Sequence, residues 1–190
     1  MSSFFQHEKL EVLHPADAVL ARVRQLGSDI TAHYATSIAR GEELVVVGIL
    51  KGSFIFLADL VRSIDLPCHI EFMGVSSYGD ATESSGVVQV TQDLTKPVKD
   101  KHVLVVEDIV DTGLTMKYLL DNLGTRGPRS VKLASLLEKP EKNRAQVKVD
   151  FLGFSIPDQF VVGYGLDAAG LYRNLPYVGL VKPPKSEGKG

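Results

Sequence analysis

The stretch VLVVEDIVDTGLTM, residues 103–116, joins an apolar strand to a run of acids and then to a loop suited to an anion. Residues 103–106 have no polar break, as expected of a strand covered on both faces of a parallel sheet. In open α/β sheets ligands bind beyond the carboxyl ends of the strands, so Glu107, Asp108 and Asp111 fall where chemistry is expected. Asp111, Thr112, Gly113, Leu114 and Thr115 then lead into a helix predicted over 116–123 and stopped by Gly124. Free backbone N–H groups and the positive helix end make that entry an anion site. Gly113 permits close approach, and the threonine hydroxyls add donors. Acids for sugar hydroxyls beside a phosphate cradle describe a ribose 5-phosphate.

The rest of the chain places this segment in a larger α/β pattern. Pro15 opens a helical stripe of Val19, Val23, Leu26, Ile30, Tyr34 and Ile38 that ends before Gly41. Strands are predicted over 44–50, 70–75, 103–106, 131–137 and 151–154, with a crossover helix over 54–64. This alternation predicts a mostly parallel sheet with helices on both sides. Residues 76–85 are rich in Ser, Gly, Asp and Thr and bury little, so a mobile loop is expected there, followed by a short strand over 87–90. A single domain is expected over 1–182. The Lys/Pro/Gly-rich remainder, 183–190, is expected to be disordered.

Composition excludes several classes. At 190 residues and 44% hydrophobic, the chain can bury one substantial core. A formal charge of -2 argues against bulk nucleic-acid binding. Cys68 is the only cysteine, which rules out an intrachain disulfide, and there is neither a long apolar run nor a signal-like start. A cytoplasmic location is expected, with no membrane or nucleic-acid partner. His7, His14, His33, His69 and His102 show no paired ligand spacing, so the expected metal is one held by carboxylates and substrate oxygens.

A lone Asp-Thr-Gly is more often a turn in which Thr112 or Thr115 caps a helix. Other ligand motifs are missing, however: no Gly-x-x-x-x-Gly-Lys-Ser/Thr occurs, and no Gly-x-Gly-x-x-Gly follows a strand. An aspartic-protease reading meets a single copy of the tripeptide in a pattern that is not all-β. The whole segment resembles the 5-phosphoribosyl-1-diphosphate (PRPP) signature of the type I phosphoribosyltransferases. Taken with SSYG at 76–79, EKP at 138–140 and IPDQFVVGYGLDAAGLYRNLPYVGLV at 156–181, it is similar to the hypoxanthine or hypoxanthine-guanine phosphoribosyltransferases. The resemblance extends over residues 45–183.

The resemblance implies a fold, a reaction and a set of residues. The fold is a twisted, mostly parallel sheet flanked by helices, with a small hood built from the N- and C-terminal segments. The reaction moves the 5-phosphoribosyl group of PRPP to N9 of a 6-oxopurine, hypoxanthine or guanine, in purine salvage, releasing diphosphate. Lys51 and Gly52 match the diphosphate loop, with a cis peptide implied between Leu50 and Lys51, and Arg173 matches a diphosphate ligand. Glu107 and Asp108 would take the ribose hydroxyls and, with Asp167, magnesium, partly through water or substrate. Asp111 is carried over as the general base and Thr112, Gly113, Leu114 and Thr115 as the phosphate loop. Phe160 would stack on the purine, Val161 would read its edge through the backbone, and Lys139 would meet the 6-oxo group. Ser77 and Tyr78 resemble the closing lid, which a water-sensitive oxocarbenium state requires. A homodimer or homotetramer is also implied. One departure is Ala168, where the family commonly has an aromatic.

Two alternatives use the same fold: a PRPP-sensing regulatory module that binds nucleic acid, and a nucleotide-binding module without turnover. The first would tolerate loss of Asp111, Lys51, Tyr78 or Arg173, all of which are present, and the second has no use for a lid.

Overall fold

The computed structural model describes residues 10–77 and 88–181. Its elements are β1 (Leu10–His14), α1 (Ala16–Ala39), β2 (Leu44–Leu50), α2 (Phe54–Val61), β3 (His69–Ser77), β4 (Val88–Gln92), β5 (His102–Val110), α3 (Leu114–Gly124), β6 (Ser130–Glu138), β7 (Phe151–Ser155), β8 (Val161–Val162) and β9 (Val178–Val181). A six-stranded sheet has the order β4-β3-β2-β5-β6-β7. Its strands run parallel except β4, which pairs antiparallel with β3.

The continuous apolar runs explain why these strands sit centrally. In β2, Leu44 and Val46 face the core that α1 and α2 cover, whereas Val45, Val47 and Ile49 face the core under α3. In β5, Leu104 and Val106 against Val103 and Val105 divide the same way. Successive side chains on a strand point to opposite faces, so only an uninterrupted hydrophobic sequence can fill both layers. On α1, Val19, Val23, Leu26, Ile30 and Tyr34 form the buried stripe that closes one side. Arg22 on this helix donates to the carbonyls of Leu152 (2.6 Å) and Gly153 (3.0 Å), tying α1 to the edge strand β7.

The hood is a second, three-stranded sheet of order β1-β9-β8. It is antiparallel and joins the two ends of the described chain: Leu10 is opposite Val181, and Leu180 is opposite Val161. Val161 and Val178 extend into the core shared with α1 and α2, which seats the hood over one end of the large sheet.

Several boundaries differ from the sequence expectation. Strand β5 does not stop at Val106; it continues through the acids to Val110 because β6 runs alongside, with Glu107 opposite Ser135, Ile109 opposite Leu137 and Val110 opposite Glu138. Glu107 and Asp108 are therefore fixed by a strand instead of standing in a turn. Helix α2 ends at Val61, not at residue 64, and α3 starts at Leu114, two residues early. None of the hood strands was read from the sequence, since β8 is two residues long and β1 alternates weakly. Tyr78, most of the expected loop and the tail expected at 183–190 lie outside the described residues, and Ser77 ends β3.

Candidate active site

The loop expected to bind an anion is the turn between β5 and α3. Gly113 is the N-cap of α3 with φ +77°, a left-handed conformation that side chains resist. A Cβ there would also press on Asn143, Ala145 and Val147. The helix has no side-chain cap, and its first intrahelical bond runs from the Lys117 N–H to the Gly113 carbonyl (2.8 Å). Thr112 Oγ1 reaches the Leu114 N–H only at 3.5 Å, so a simple threonine cap is not what this loop provides. The amides of the first turn are left for a ligand. A cavity of about 130 Å³ opens here, lined by Glu107, Asp111, Thr112, Gly113 and Thr115 among others.

Behind the loop, the segment after β6 acts as a brace. Ala145 N–H donates to the Thr112 carbonyl (3.2 Å), and Lys139 N–H to the Val110 carbonyl (2.9 Å). Asn143 holds the brace in shape, donating to Glu138 Oε1 (3.0 Å) and the Val147 carbonyl (2.8 Å) while accepting from the Val147 N–H (3.0 Å).

A second turn faces the first across the sheet edge. The Leu50–Lys51 peptide is cis, and Gly52 follows it. Gly52 lies so close to the Asp108 carboxylate that any Cβ would collide with it. Gly165 leaves as little room, since a Cβ there would run into the Gly52 carbonyl oxygen. Arg173 donates to the Gly165 carbonyl (2.6 Å) and pairs with Asp167 (2.6 Å), whose other oxygen accepts the Gly170 N–H (2.7 Å). Burial pushes the Asp108 carboxyl up to about 6, an effect partly offset by backbone N–H groups and the nearby Arg173 charge. Glu107 is driven well above the usual carboxylate range, by burial first and then by the Asp108 charge beside it. One of its oxygens, Oε2, is buried without a partner.

At the end of β6, Lys139 is buried, not solvated as a strand-end lysine usually is. Its ammonium pairs with Asp111 Oδ2 (3.0 Å) and Asp158 Oδ1 (3.2 Å). Lys142 lies 3.5 Å from Asp111 Oδ1 and 3.2 Å from the same Asp158 oxygen. Beyond them Phe160 projects, 56% exposed, an unusual state for a large aromatic and one that leaves a ring face free to stack. The adjacent Val161 is buried in β8.

The structure thus gathers Glu107, Asp108, Asp111, Thr112, Gly113, Leu114 and Thr115 at one strand end, with Lys51, Gly52 and Arg173 linked to it through Asp108. Asp167 stands with Arg173, both oxygens occupied. Lys142, Asp158, Asn143 and Gly165 were not singled out from the sequence. Lys142 and Asp158 lie within or beside quoted stretches, yet no spacing rule distinguishes them from ordinary surface charges.

This geometry has close counterparts. Residues 10–169 match the model of the phosphoribosyl transferase domain. A hypoxanthine-guanine phosphoribosyltransferase of Mycobacterium avium is 47% identical over 173 residues, covering 90% of this chain and 85% of the relative. The chain belongs to the phosphoribosyltransferase family. A hypoxanthine phosphoribosyltransferase of Haemophilus influenzae is 48% identical, covering 90% of this chain and 95% of that one. The crystal structure of a hypoxanthine phosphoribosyltransferase from Staphylococcus aureus superimposes with a TM-score of 0.87 at 44% identity, covering 93% and 94% of the two chains. These relatives fall in the hypoxanthine(-guanine) branch of the phosphoribosyltransferases.

Phosphoribosyltransferases generally use magnesium with PRPP, and the residues present fit such an ion. Glu107 and Asp108 are adjacent buried carboxylates, each pushed above its usual range, and Glu107 Oε2 has no hydrogen-bond partner. Among the described residues no cluster of three or more His, Cys, Asp or Glu could hold a metal alone. That suits magnesium, which keeps waters and is commonly bound through one or two carboxylates plus substrate oxygens.

Proposed function

We propose that this phosphoribosyltransferase moves the 5-phosphoribosyl group from PRPP to N9 of hypoxanthine or guanine, releasing diphosphate. The observation that carries the substrate class is the Lys139 ammonium, buried at the end of β6 and 3.0 Å from Asp111. An ammonium only donates, so it suits a carbonyl at purine position 6 and opposes an amino group. The partner beside it, Asp111, is an acceptor, as the group that takes a proton from N7 of the purine must be. Phe160 offers the stacking face.

The remaining residues divide the work on PRPP. The uncapped first turn of α3, with Gly113 and the hydroxyls of Thr112 and Thr115, takes the 5-phosphate. Glu107 and Asp108 accept from the ribose hydroxyls. Lys51, Gly52 and Arg173 hold the departing diphosphate and oppose its growing charge. Magnesium would be held by Glu107 and Asp108, with Asp167 reaching it through water or substrate, and would neutralise the leaving group. Ser77 and Tyr78 belong to the lid that excludes water. The Mg2+-PRPP complex, a 6-oxopurine and diphosphate are accordingly the small-molecule partners, and no helix among the described residues is long and apolar enough to cross a membrane. Assembly as a homodimer or homotetramer belongs to the same reading, as the family resemblance implies.

The test is a steady-state comparison of hypoxanthine, guanine, xanthine and adenine with PRPP and magnesium. Turnover of hypoxanthine or guanine with release of diphosphate is expected. Adenine as the preferred substrate, or no release of diphosphate with any purine, would overturn the reading.

A further inference from the structure

Lys139 and Lys142 each touch both Asp111 and Asp158, so the four side chains close a ring of alternating charge. Its members differ in freedom. Lys139 is 8% exposed, whereas Lys142 and Asp158 are 38% and 47% exposed. The buried ammonium is fixed from below by its own strand, and the two rim groups can shift. The ring has no net charge, since two ammonium groups face two carboxylates. The Asp158 carboxyl is held below its usual range, first by the hydrogen bond from Lys142 and next by that from Lys139.

A purine carbonyl arriving at Lys139 competes with these carboxylates for one ammonium. Resting on the functional reading above, we propose that Lys142 and Asp158 are positioning residues that transfer Lys139 from Asp111 to the purine 6-oxo group. Asp158 keeps one proton of the Lys139 ammonium and so aims the remainder into the purine site. Lys142 stays on Asp111 Oδ1, so the carboxylate is not left bare when Lys139 turns away. The Asp111 side chain is 40% exposed, so solvent lightens the cost of losing a counter-ion there, and a second cation already in place removes more of that cost from the binding of the purine. Without Lys142, two carboxylates would hold one ammonium and resist its transfer. Without Asp158, Lys139 would lean on Asp111 alone and lose its aim.

The experiment measures kcat and both KM values for Lys142→Gln, Asp158→Asn, the double variant and Lys142→Arg, with thermal unfolding of each as a check on folding. Lys142→Gln should raise the KM for hypoxanthine about 2- to 5-fold, within the range of a partly exposed charge contact. The KM for PRPP and the unfolding midpoint should stay unchanged. Lys142→Arg should restore the purine KM, because a guanidinium can still bridge both carboxylates. Asp158→Asn should weaken hypoxanthine and narrow its advantage over adenine. The double variant leaves Lys139 balanced by Asp111 and should be less impaired than the product of the single effects. An unchanged purine KM in Lys142→Gln, or single effects that simply multiply, overturns the positioning role while the wild-type activity leaves the assigned reaction standing. Wild-type protein inactive on every 6-oxopurine would overturn the assigned reaction itself.

Discussion

Gly165 and Gly52 stand backbone to backbone: a Cβ built on Gly165 would run into the Gly52 carbonyl oxygen, and Gly165 itself has φ +105°. The Lys51-Gly52 turn is thus packed against Asp108 and Gly165, with no room for a Cβ on Gly52 or on Gly165.

Gly165→Ala should therefore push the Lys51-Gly52 turn off its position. A displacement of this order at a reacting centre costs about 100-fold, and kcat/KM for PRPP should fall by that amount. Gly170→Ala is the matched control. Its φ is also positive, +83°, but nothing lies within 4 Å of the added carbon, so it tests strain without collision. Equal losses in the two variants would count against the packing argument.

Asp111→Asn should lower kcat by roughly 100- to 10,000-fold, the range for loss of a general base, with PRPP binding largely kept. The amide oxygen can still accept from Lys139, so the local structure is expected to survive. Glu107→Gln should be milder, because that residue positions the ribose. Single-turnover rates alongside PRPP titrations separate the two effects, and near-normal turnover in Asp111→Asn would refute the assignment.

Much of this was legible in the sequence because strong local signals coincided. Apolar runs such as 44–50 gave the parallel strands almost to the residue, since strands covered on both faces cannot afford polar breaks. The phosphate turn was legible because Gly113 and the flanking threonines have a local reason to be there. The individual strands of the hood were not, although the family resemblance implied a hood from the N- and C-terminal segments, because β1, β8 and β9 are short strands whose pairing joins distant segments and no local periodicity encodes a distant partner. Nor was the ring around Lys139, for a salt bridge between residues 111, 139, 142 and 158 depends on where β6 and the following turns lie, not on spacing. The continuation of β5 through Glu107 and Asp108 was missed for a related reason, as the neighbouring strand, not propensity, extends it.

The proposed choice of a 6-oxopurine rests on Lys139. A site built to pair with one polar group can reject its mismatch by roughly 10,000-fold or more, because the buried group is left unpaired. Adenine should be a negligible substrate of the unmodified protein. Lys139→Gln, whose amide both donates and accepts, should narrow the gap between hypoxanthine and adenine in kcat/KM. Retention of the full discrimination in that variant would remove Lys139 from this role.

Acid stability should depend on Glu71, a buried carboxylate on β3 far from the ribose acids. It accepts from the Thr95 N–H (3.0 Å) and hydroxyl (2.9 Å), and these bonds, the backbone one foremost, hold its carboxyl below the usual 4.5. A depressed folded value contributes stability above the unfolded value and loses it as pH falls through the folded one. Glu71→Gln should therefore lower Tm at neutral pH, while the gap to wild type closes below about pH 4.5. Thermal scans across pH 3 to 7 read this directly, and a constant gap would contradict it.

The pairing of β1 with β9 has a consequence for the newly made chain. Leu10 is made before any strand of the large sheet, yet its strand partner, Val181, emerges only after every strand of that sheet has been synthesised. The parallel core can begin to assemble during translation, but the cover carrying Val161 cannot, because β8 reaches β1 only through β9. Until then β1 is an edge without its partner strand, and the nascent protein has its β5–α3 turn well before β8 can be seated beside β9.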